Sequence, residues 1–525
     1  MNDDGYVPFA GVVRAEVLFN AKRALPYVVA AIFSGNALLW WGWGPAASRG
    51  WAVNSDFFMT RLFVAFSFMT LPLFVAVFMG DVITRDFDAE IDRLIFSKPI
   101  RRLEYLLGKF LGNFLVLAAC QAAFSLTLAS LQGFRRPGML MLAPRVVPFV
   151  QHFIFFTLLS SLPIAAVCFA VGALTRNVKV VYGMTAGFYC AYIALQNGLK
   201  AMSVQWRILL DPLLMNVEQL WRGKDVNALN QMVMHYDGWL IANRVGVVVA
   251  AASCIALVNL RFTTRRTITA PSFATLDATR ESRPIRESAS FGSLDPFIAA
   301  VQTELRLLRD ERSFGAAAAI AVIGCIATVA AFPPANAADY VVRVADPLLL
   351  FLFSMSLFYT GESIHRDRTL RVAPLLWSAP VSNASIVVAK VAATSVAATM
   401  LSLVVIVATA LLQITRGQMP DLTLNASVFG LILIPNLLFL VSAASALQCV
   451  IQQKQSANAI GIALAGVFYY AVTHGSLRPT LNFLLLNAWT AQSLGTAWLV
   501  VHRVYTCGVA ALLITIAIAA YERKR

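Results

Sequence analysis

The chain has 525 residues, of which 59% are hydrophobic and only 13% charged, whereas an ordinary soluble domain carries about 25% charged residues. This composition excludes a typical soluble enzyme or binding domain and indicates a membrane protein. The formal net charge of +15 would also suit a nucleic-acid-binding protein. We attribute it instead to lysine and arginine kept in cytoplasmic loops, and we expect no nucleic-acid partner.

Long apolar runs recur along the chain, each near the ~20 residues that cross a bilayer as a helix. The first six lie at roughly 25–43, 60–82, 107–131, 147–174, 178–198 and 238–260. The second six lie at roughly 315–332, 346–363, 386–413, 425–450, 457–474 and 496–520. The sequence therefore predicts an all-α polytopic membrane protein with about twelve transmembrane helices, in contact with the lipid bilayer.

Basic residues gather in the loop 84–106, in the stretch 261–312 and in the last four residues. With twelve spans, all three places lie on the same side as the N-terminus, which the positive-inside rule assigns to the cytoplasm. Basic residues in the opposite loops weaken this asymmetry without reversing it. We therefore expect a multi-pass protein of the bacterial inner (cytoplasmic) membrane, with both termini in the cytoplasm.

An internal repeat relates the two halves of the sequence. Residues 80–86 (GDVITRD) match residues 361–367 (GESIHRD), and the register continues without a gap. Leu94, Ser97, Pro99 and Lys109 meet Leu375, Ser378, Pro380 and Lys390. We expect two six-span halves of parallel topology, residues 1–262 and 296–525, joined by a cytoplasmic linker at 263–295. Parallel repeats are related by an axis along the membrane normal, which favours a central pathway, although a duplication kept only for packing is the alternative.

The repeated block continues into a short amphipathic pattern. Its apolar positions at helical spacing are Phe87, Ile91, Leu94 and Ile95, and its polar positions are Asp88, Glu90 and Asp92. We predict one short helix that is capped by Thr84 or Asp86 and ended by Pro99. Such a helix suits a docking surface for a soluble partner, and equally a helix that lies on lipid headgroups.

The pattern of Arg-Asp, Ser-x-Pro and a later Lys after an apolar span resembles the permeases of type-2 ABC exporters. In that family the loop after the second span carries the coupling helix that docks on the ATPase. The resemblance implies that 8–22 and 296–310 are interfacial elbow helices, which contain Glu16 and Glu304. It also implies two ATPase-docking coupling segments, whose residues are Arg85, Asp86, Asp88, Glu90, Ile91, Leu94, Ser97 and Pro99, and Arg366, Asp367, Arg371, Leu375, Ser378 and Pro380.

A closer resemblance is to permeases fused to a zinc aminopeptidase. It is carried by Ala52-Val53-Asn54-Ser55, by Arg85-Asp86 and by residues 95–100 (IFSKPI). The chain contains no HExxH motif, so the peptidase activity is not carried over. A separately encoded peptidase, or another periplasmic partner, stays open as an alternative.

The chain has no GxxxxGK[ST] phosphate loop and no assembled set of catalytic or metal-ligating residues. We therefore expect no enzymatic activity, cofactor or metal on this chain. The resemblance implies that ATP and magnesium bind to a separate ABC ATP-binding subunit, expected in two copies. The two coupling segments differ in charge, because Asp88 and Glu90 are replaced by Thr369 and Arg371, and this difference predicts unequal engagement of the two ATPase sites.

Charged residues are scarce within the predicted spans, which disfavours an ion-driven carrier. Arg244 and Arg503 are expected to snorkel to the outer surface. Asp81 and Glu362 are expected to pair with Arg85 and Arg366 one turn later. The first hypothesis is the membrane subunit of an ABC exporter for a lipid-like, amphipathic or peptide substrate. The alternatives are a non-transporting scaffold that links an ATPase to a periplasmic partner, and a secondary carrier. The outer segment 199–237 suits cargo or partner recognition, or an ordinary surface loop.

Overall fold

The computed structural model describes residues 9–43, 50–89, 91–98, 100–134, 138–262, 295–310, 312–331, 337–369, 381–473 and 496–521. These residues form helices joined by turns and loops, and no β-strand occurs among them. Helices are expected here because backbone N–H and C=O groups in a lipid environment must find their partners within the same segment.

The N-terminal part of the described chain, residues 9–262, contains helices α1 to α12. The first six are α1 (Phe9–Ala21), α2 (Ala24–Trp43), α3 (Asp56–Met69), α4 (Leu71–Met79), α5 (Thr84–Asp88) and α6 (Asp92–Phe96). The next six are α7 (Arg102–Leu131), α8 (Val147–Thr175), α9 (Val178–Leu199), α10 (Val204–Leu210), α11 (Val226–Gln231) and α12 (Gly238–Arg261). A 3₁₀ helix at Met215–Trp221 lies between α10 and α11.

The C-terminal part, residues 295–521, contains helices α13 to α19 in its described residues. They are α13 (Asp295–Arg309), α14 (Arg312–Ala331), α15 (Ala337–Thr369), α16 (Asn383–Thr415), α17 (Leu422–Val450), α18 (Lys454–Thr473) and α19 (Thr496–Ala520). Helices therefore occupy all twelve places at which the sequence predicts a span.

Seven helices among the described residues are long and apolar enough to cross a membrane, namely α2, α7, α8, α12, α16, α17 and α19. A bent pair, Asp56–Met69 and Leu71–Phe87, would form an eighth span with a 48° bend. The bend follows from Pro72 near the start of α4, because proline lacks a backbone N–H and its ring clashes with the carbonyl four residues earlier. That α9, α14, α15 and α18 also cross the membrane stays a prediction.

Two of the long helices contain a π-helical turn in the same place. In α8 it covers Phe153–Leu158, and in α17 it covers Val428–Leu433; each follows 6 residues of α-helix and precedes 17 more. A π turn shifts the hydrogen-bond pattern, which releases carbonyls for other partners. The Nη1 of Arg244 donates to the freed Phe155 carbonyl at 2.8 Å.

Arg244 and Arg503 do not snorkel as expected, because each is only 4% exposed. The guanidinium of Arg244 donates to the carbonyls of Phe155 and Pro212 and to Ser160 Oγ. A guanidinium with this many partners can stay buried, since its donors are satisfied without water.

Each part has its own apolar core, one formed mainly from residues 25–262 and the other from residues 308–521. The parts meet where α9 packs against α14 and α15, and where α2 packs against α18. Tyr182 of α9 stacks on Phe358 of α15, with ring centroids 4.1 Å apart and ring planes 9° apart. At Gly187 of α9, an added Cβ would overlap the side chain of Ile320 in α14. The contact between the two parts is therefore close-packed.

Candidate functional site

The first helix is seated in a shallow groove of α7. Its buried face consists of Val12, Glu16 and Asn20, which are spaced at one helical turn. Two glycines of α7 make room for this face: an added Cβ would lie 2.7 Å from the Cβ of Val12 at Gly108, and 2.6 Å from the Cβ of Glu16 at Gly112. The close approach brings the Glu16 carboxylate to the side of α7.

Glu16 belongs to a buried group of four charged residues, Glu16, Arg85, Asp86 and Lys109, which we call the first charge cluster. The Nζ of Lys109 lies 2.7 Å from Glu16 Oε1 and 2.6 Å from Asp86 Oδ2. The Nη2 of Arg85 pairs with Glu16 Oε2. Two acidic and two basic groups balance in formal charge, which is the condition under which charges can remain buried.

Neutral side chains of α7 complete the first charge cluster. The hydroxyl of Tyr105 donates to Asp86 Oδ2 at 2.7 Å, and Asn113 Nδ2 donates to Glu16 Oε2 at 2.9 Å. Burial alone would raise the pKa of Glu16, but the charges of Lys109 and Arg85 outweigh it and hold that pKa below its ordinary value. The carboxylate is therefore ionised at neutral pH.

The same four residue types meet again in the C-terminal part. Glu304, Arg366, Asp367 and Lys390 form the second charge cluster, in which Lys390 Nζ lies 2.9 Å from Glu304 Oε1 and 3.0 Å from Asp367 Oδ2. Arg366 Nη2 pairs with Glu304 Oε2. The pairing of cations with carboxylates is the same as in the first charge cluster. Here too burial would raise the pKa of Glu304, and the charges of Lys390 and Arg366 hold it below the ordinary value.

The two clusters differ in their surroundings. The sequence positions that correspond to Gly108 and Gly112 are Ala389 and Ala393, so the seat for the second elbow helix is shallower. The side chain of Glu304 is accordingly 12% exposed, against 7% for Glu16. In place of an asparagine donor, Ser363 Oγ donates to Glu304 Oε2 at 3.2 Å.

The first coupling segment is two short helices instead of the single one predicted. α5 ends at Asp88, α6 begins at Asp92, and the backbone N–H of Ile91 donates to the Asp86 carbonyl at 3.1 Å. The predicted side-chain cap is wrong, because residue 83 takes the capping position of α5 without a side-chain hydrogen bond. Because the Asp86 side chain is held in the first charge cluster, the chain turns after Asp88 and forms two short helices instead of one straight helix.

The apolar residues of this segment divide between two environments. Phe87 is buried, with the Arg176 guanidinium 4.2 Å from its ring centroid. Ile91 and Leu94 point outward and are 43% and 66% exposed. Ser97 is also exposed, and its hydroxyl donates to the Leu94 carbonyl. The segment therefore presents a small apolar surface that is held from behind by a buried aromatic residue.

Several predicted site residues have no structural description. Glu90, Pro99, Arg371, Leu375, Ser378 and Pro380 lie outside the described residues, as does the side chain of Asp88. Of the predicted site residues in the second coupling segment, Arg366 and Asp367 are described, and both belong to the second charge cluster. Arg85 and Asp86 are likewise turned into the first cluster, so these four residues position the segments and do not form their outer surface.

Sequence comparison alone matched the lysines of the two clusters but did not reveal their role as the central cations. The sequence also predicted that Asp81 pairs with Arg85 and Glu362 with Arg366. The structure differs, since the Arg85 guanidinium binds Glu16 and the Asp81 carboxylate accepts a hydrogen bond from Gln455. Arg366 likewise binds Glu304, and Glu362 pairs with Lys454. Glu16 and Glu304 were predicted as residues of the elbow helices, but their contacts with the coupling segments were not, because no helical-spacing rule connects residues so far apart in the sequence.

A comparison with protein-family models finds one match, to a family described as ABC-2 family transporter protein, over residues 301–472. A search of curated proteins finds no match to the chain. The matched stretch is about a third of the chain, begins within α13 and ends within α18, and includes the whole second charge cluster. Together with the long apolar helices, the similarity of residues 301–472 to the ABC-2 family supports a multi-pass membrane protein that is the permease of an ABC transporter.

Proposed function

We propose that this chain is the transmembrane permease of an ABC exporter and works with two copies of a separate ATP-binding subunit. The single observation that carries the proposal is the recurrence of one charge cluster beside both coupling segments, together with the family match over the second of them. ATP and magnesium would bind only on the partner subunits. The substrate class that suits the apolar helices is lipid-like, amphipathic or peptide.

In this proposal residues 1–262 and 296–525 are two six-span halves of parallel topology, joined by the cytoplasmic linker 263–295. Three kinds of observation support it: helices at the twelve expected places, a π turn in the same position of α8 and α17, and the two equivalent charge clusters. The coupling segments, both termini and the linker would face the cytoplasm of a bacterial cell.

The proposed docking surface is the outward side of the coupling segments. In the first segment Ile91 and Leu94 supply exposed apolar side chains, and exposed apolar side chains at a rigid surface are typical anchors for a protein partner. This surface is joined to the first charge cluster at Ile91, whose backbone N–H donates to the Asp86 carbonyl. A push on Ile91 would therefore reach α7 through Lys109 and α1 through Glu16.

A scaffold that links the ATPase to a periplasmic protein is the second candidate, and the outer segment 199–237 favours it. This segment is folded onto the helices around two buried carboxylates. Asp211 accepts from the Tyr192 hydroxyl at 2.6 Å, and Asp56 accepts from the backbone N–H of Met234 at 2.9 Å. A segment anchored in this way offers a defined surface to a partner.

Co-purification and ATPase assays test the proposal. The chain is co-expressed with candidate ABC ATP-binding subunits, and the complex is reconstituted in proteoliposomes. We expect two ATP-binding subunits per chain and ATP hydrolysis that rises with transported substrate. Failure of any ATP-binding subunit to co-purify would overturn the permease proposal, and ATPase activity without movement of any candidate cargo would favour the scaffold.

A further inference from the structure

Two neighbouring residues at the start of α18 contact the two parts of the molecule. Lys454 Nζ pairs with Glu362 Oε2 in the C-terminal part. Gln455 Nε2 donates to Asp81 Oδ2 in the N-terminal part. The first turn of α18 therefore holds one carboxylate from each part at the same time.

These two carboxylates occupy equivalent positions. Asp81 and Glu362 follow the matched glycines of the internal repeat, and each precedes its cluster arginine by four residues. In the first copy the connection is direct, since the backbone N–H of Arg85 donates to the Asp81 carbonyl at 3.0 Å. A contact at Asp81 is thus one helical turn from the first charge cluster, and a contact at Glu362 is one turn from the second.

Gln455 is also bound from its other side. Its Oε1 accepts from the Nη2 of Arg23, which follows α1 and whose backbone N–H donates to the Asn20 carbonyl at 3.0 Å. Asn20 in turn donates to Asn113 beside the first charge cluster. A glutamine suits this position because it has both a donor and an acceptor, whereas a lysine would repel the arginine.

The surroundings of this contact are tightly packed. Gln448 Nε2 donates to Asn458 Oδ1 at 2.7 Å in the adjoining helices. Tyr182 and Phe358 stack across the same boundary between the two parts. The added Cβ of any residue larger than glycine at position 361 would lie 2.6 Å from Gln448 Nε2. Because of this packing, a movement of the start of α18 would also displace Asp81 or Glu362, and with it the neighbouring charge cluster.

The Gln455 contact is a neutral amide bound to two charged groups, Asp81 and Arg23. Such a contact costs less to separate in water than a buried ion pair.

We infer that the first turn of α18, through Lys454 and Gln455, is a releasable crosspiece that sets the separation of the two charge clusters. It holds the two charge clusters together at rest, and the Gln455 contacts with Asp81 and Arg23 break when the coupling segments move relative to each other. The motion itself rests on the proposed function, because the ATPase would drive it. The crosspiece makes one ATPase site sensitive to the state of the other.

Hydrogen exchange on the full chain in nanodiscs, without any ATPase, tests the contact. Gln455→Ala should raise amide exchange at 80–88 and in the first turn of α18 by about tenfold, the effect of losing hydrogen bonds to charged groups. Gln452→Ala is the matched control, since Gln452 is an exposed glutamine three residues away. Equal exchange in the two variants would overturn the crosspiece, whatever the chain binds.

Disulfide cross-linking tests the release. Asp81→Cys with Gln455→Cys should form a disulfide under mild oxidation in about fivefold higher yield than Asp81→Cys with Gln452→Cys, because only the first pair faces each other. In the complex with the ATP-binding subunits, this cross-link should stop ATP turnover, and reductant should restore it. Full turnover in the cross-linked complex would overturn the release step and leave the permease proposal intact. Absence of any bound ATPase in the unmodified protein would overturn the permease proposal, while the exchange result would still decide the contact.

Discussion

The Nζ of Lys109 lies 2.6 Å from the Oδ2 of Asp86, and this ion pair connects the beginning of the first coupling segment to the second turn of α7. The same lysine reaches Glu16 of α1. One side chain thus joins three elements that are far apart in the sequence, and Lys390 repeats the arrangement in the second cluster.

Lys109→Met is expected to destabilise the protein by about 3–5 kcal/mol, because removal of one partner leaves two buried carboxylates with too little positive charge. SDS titration in mixed micelles would measure the free energy of unfolding. Lys98→Met is the matched control, since Lys98 is exposed, and its effect should stay within about 0.5 kcal/mol. Similar losses for both variants would show that the first charge cluster does not stabilise the fold.

The pH dependence of stability should reflect the lowered pKa of Glu16. A carboxylate whose pKa is lower in the folded than in the unfolded state stabilises the fold above the unfolded value, here 4.5, and loses that contribution as the pH falls through the folded value. We therefore expect no change from this group between pH 7 and pH 5, and a decline below about pH 4.5.

Thermal unfolding of the wild type and of Glu16→Gln across this pH range would check the assignment. The variant should be less stable at pH 7 and should show a shallower decline in acid, because it lacks the titrating group. Glu304→Gln should behave in the same way, with a smaller effect because its side chain is more exposed. A decline of unchanged steepness in Glu16→Gln would assign the acid sensitivity to other groups.

The sequence alone predicted the positions of the long helices better than their bends, π turns and buried side-chain contacts. The places of the long helices followed from apolar runs of membrane length, whereas the short helix α1 was expected from the resemblance to type-2 ABC exporter permeases. The π turns and the burial of Arg244 did not follow, because each depends on partners from other helices. The bend at Pro72 has a local cause, but the apolar run at 60–82 was predicted as one span without a bend. The residues of the charge clusters could be matched from the repeat, but the sequence could not show which carboxylate pairs with which cation.

Gly112→Ala should open the first charge cluster without removing any of its charges. The added methyl would lie 2.6 Å from the Cβ of Glu16 and 3.1 Å from the Val13 carbonyl oxygen, so α1 must shift. We expect faster hydrogen exchange in α1 and a loss of about 1–3 kcal/mol from overpacking.

Gly198→Ala is the control for that substitution, because an added Cβ there meets no atom within 4 Å. In that helix position alanine should be neutral or stabilising by up to about 1 kcal/mol. If Gly112→Ala behaved like Gly198→Ala, α1 would not be seated in α7 as described.

Ile91→Asp and Leu94→Asp should weaken binding of the ATP-binding subunit by about tenfold or more each, since each removes an apolar side chain worth about 1.5–3 kcal/mol when it is covered by a partner. Surface plasmon resonance with the purified subunit would measure the affinity. Leu220→Asp is the control, because Leu220 is exposed at 39% but belongs to the outer segment. Retained affinity in both coupling-segment variants would place the docking surface elsewhere.

The seating of Glu16 on α7 also bears on how the protein is made. Its partner Arg85 is synthesised 69 residues later, and Lys109 follows only at the start of the next long helix. In a nascent chain that ends before Lys109, Glu16 lacks its lysine partner, and α1 cannot pack against α7. The first charge cluster can thus be completed only after synthesis has entered the third membrane segment, and chains arrested earlier should expose that helix to proteases.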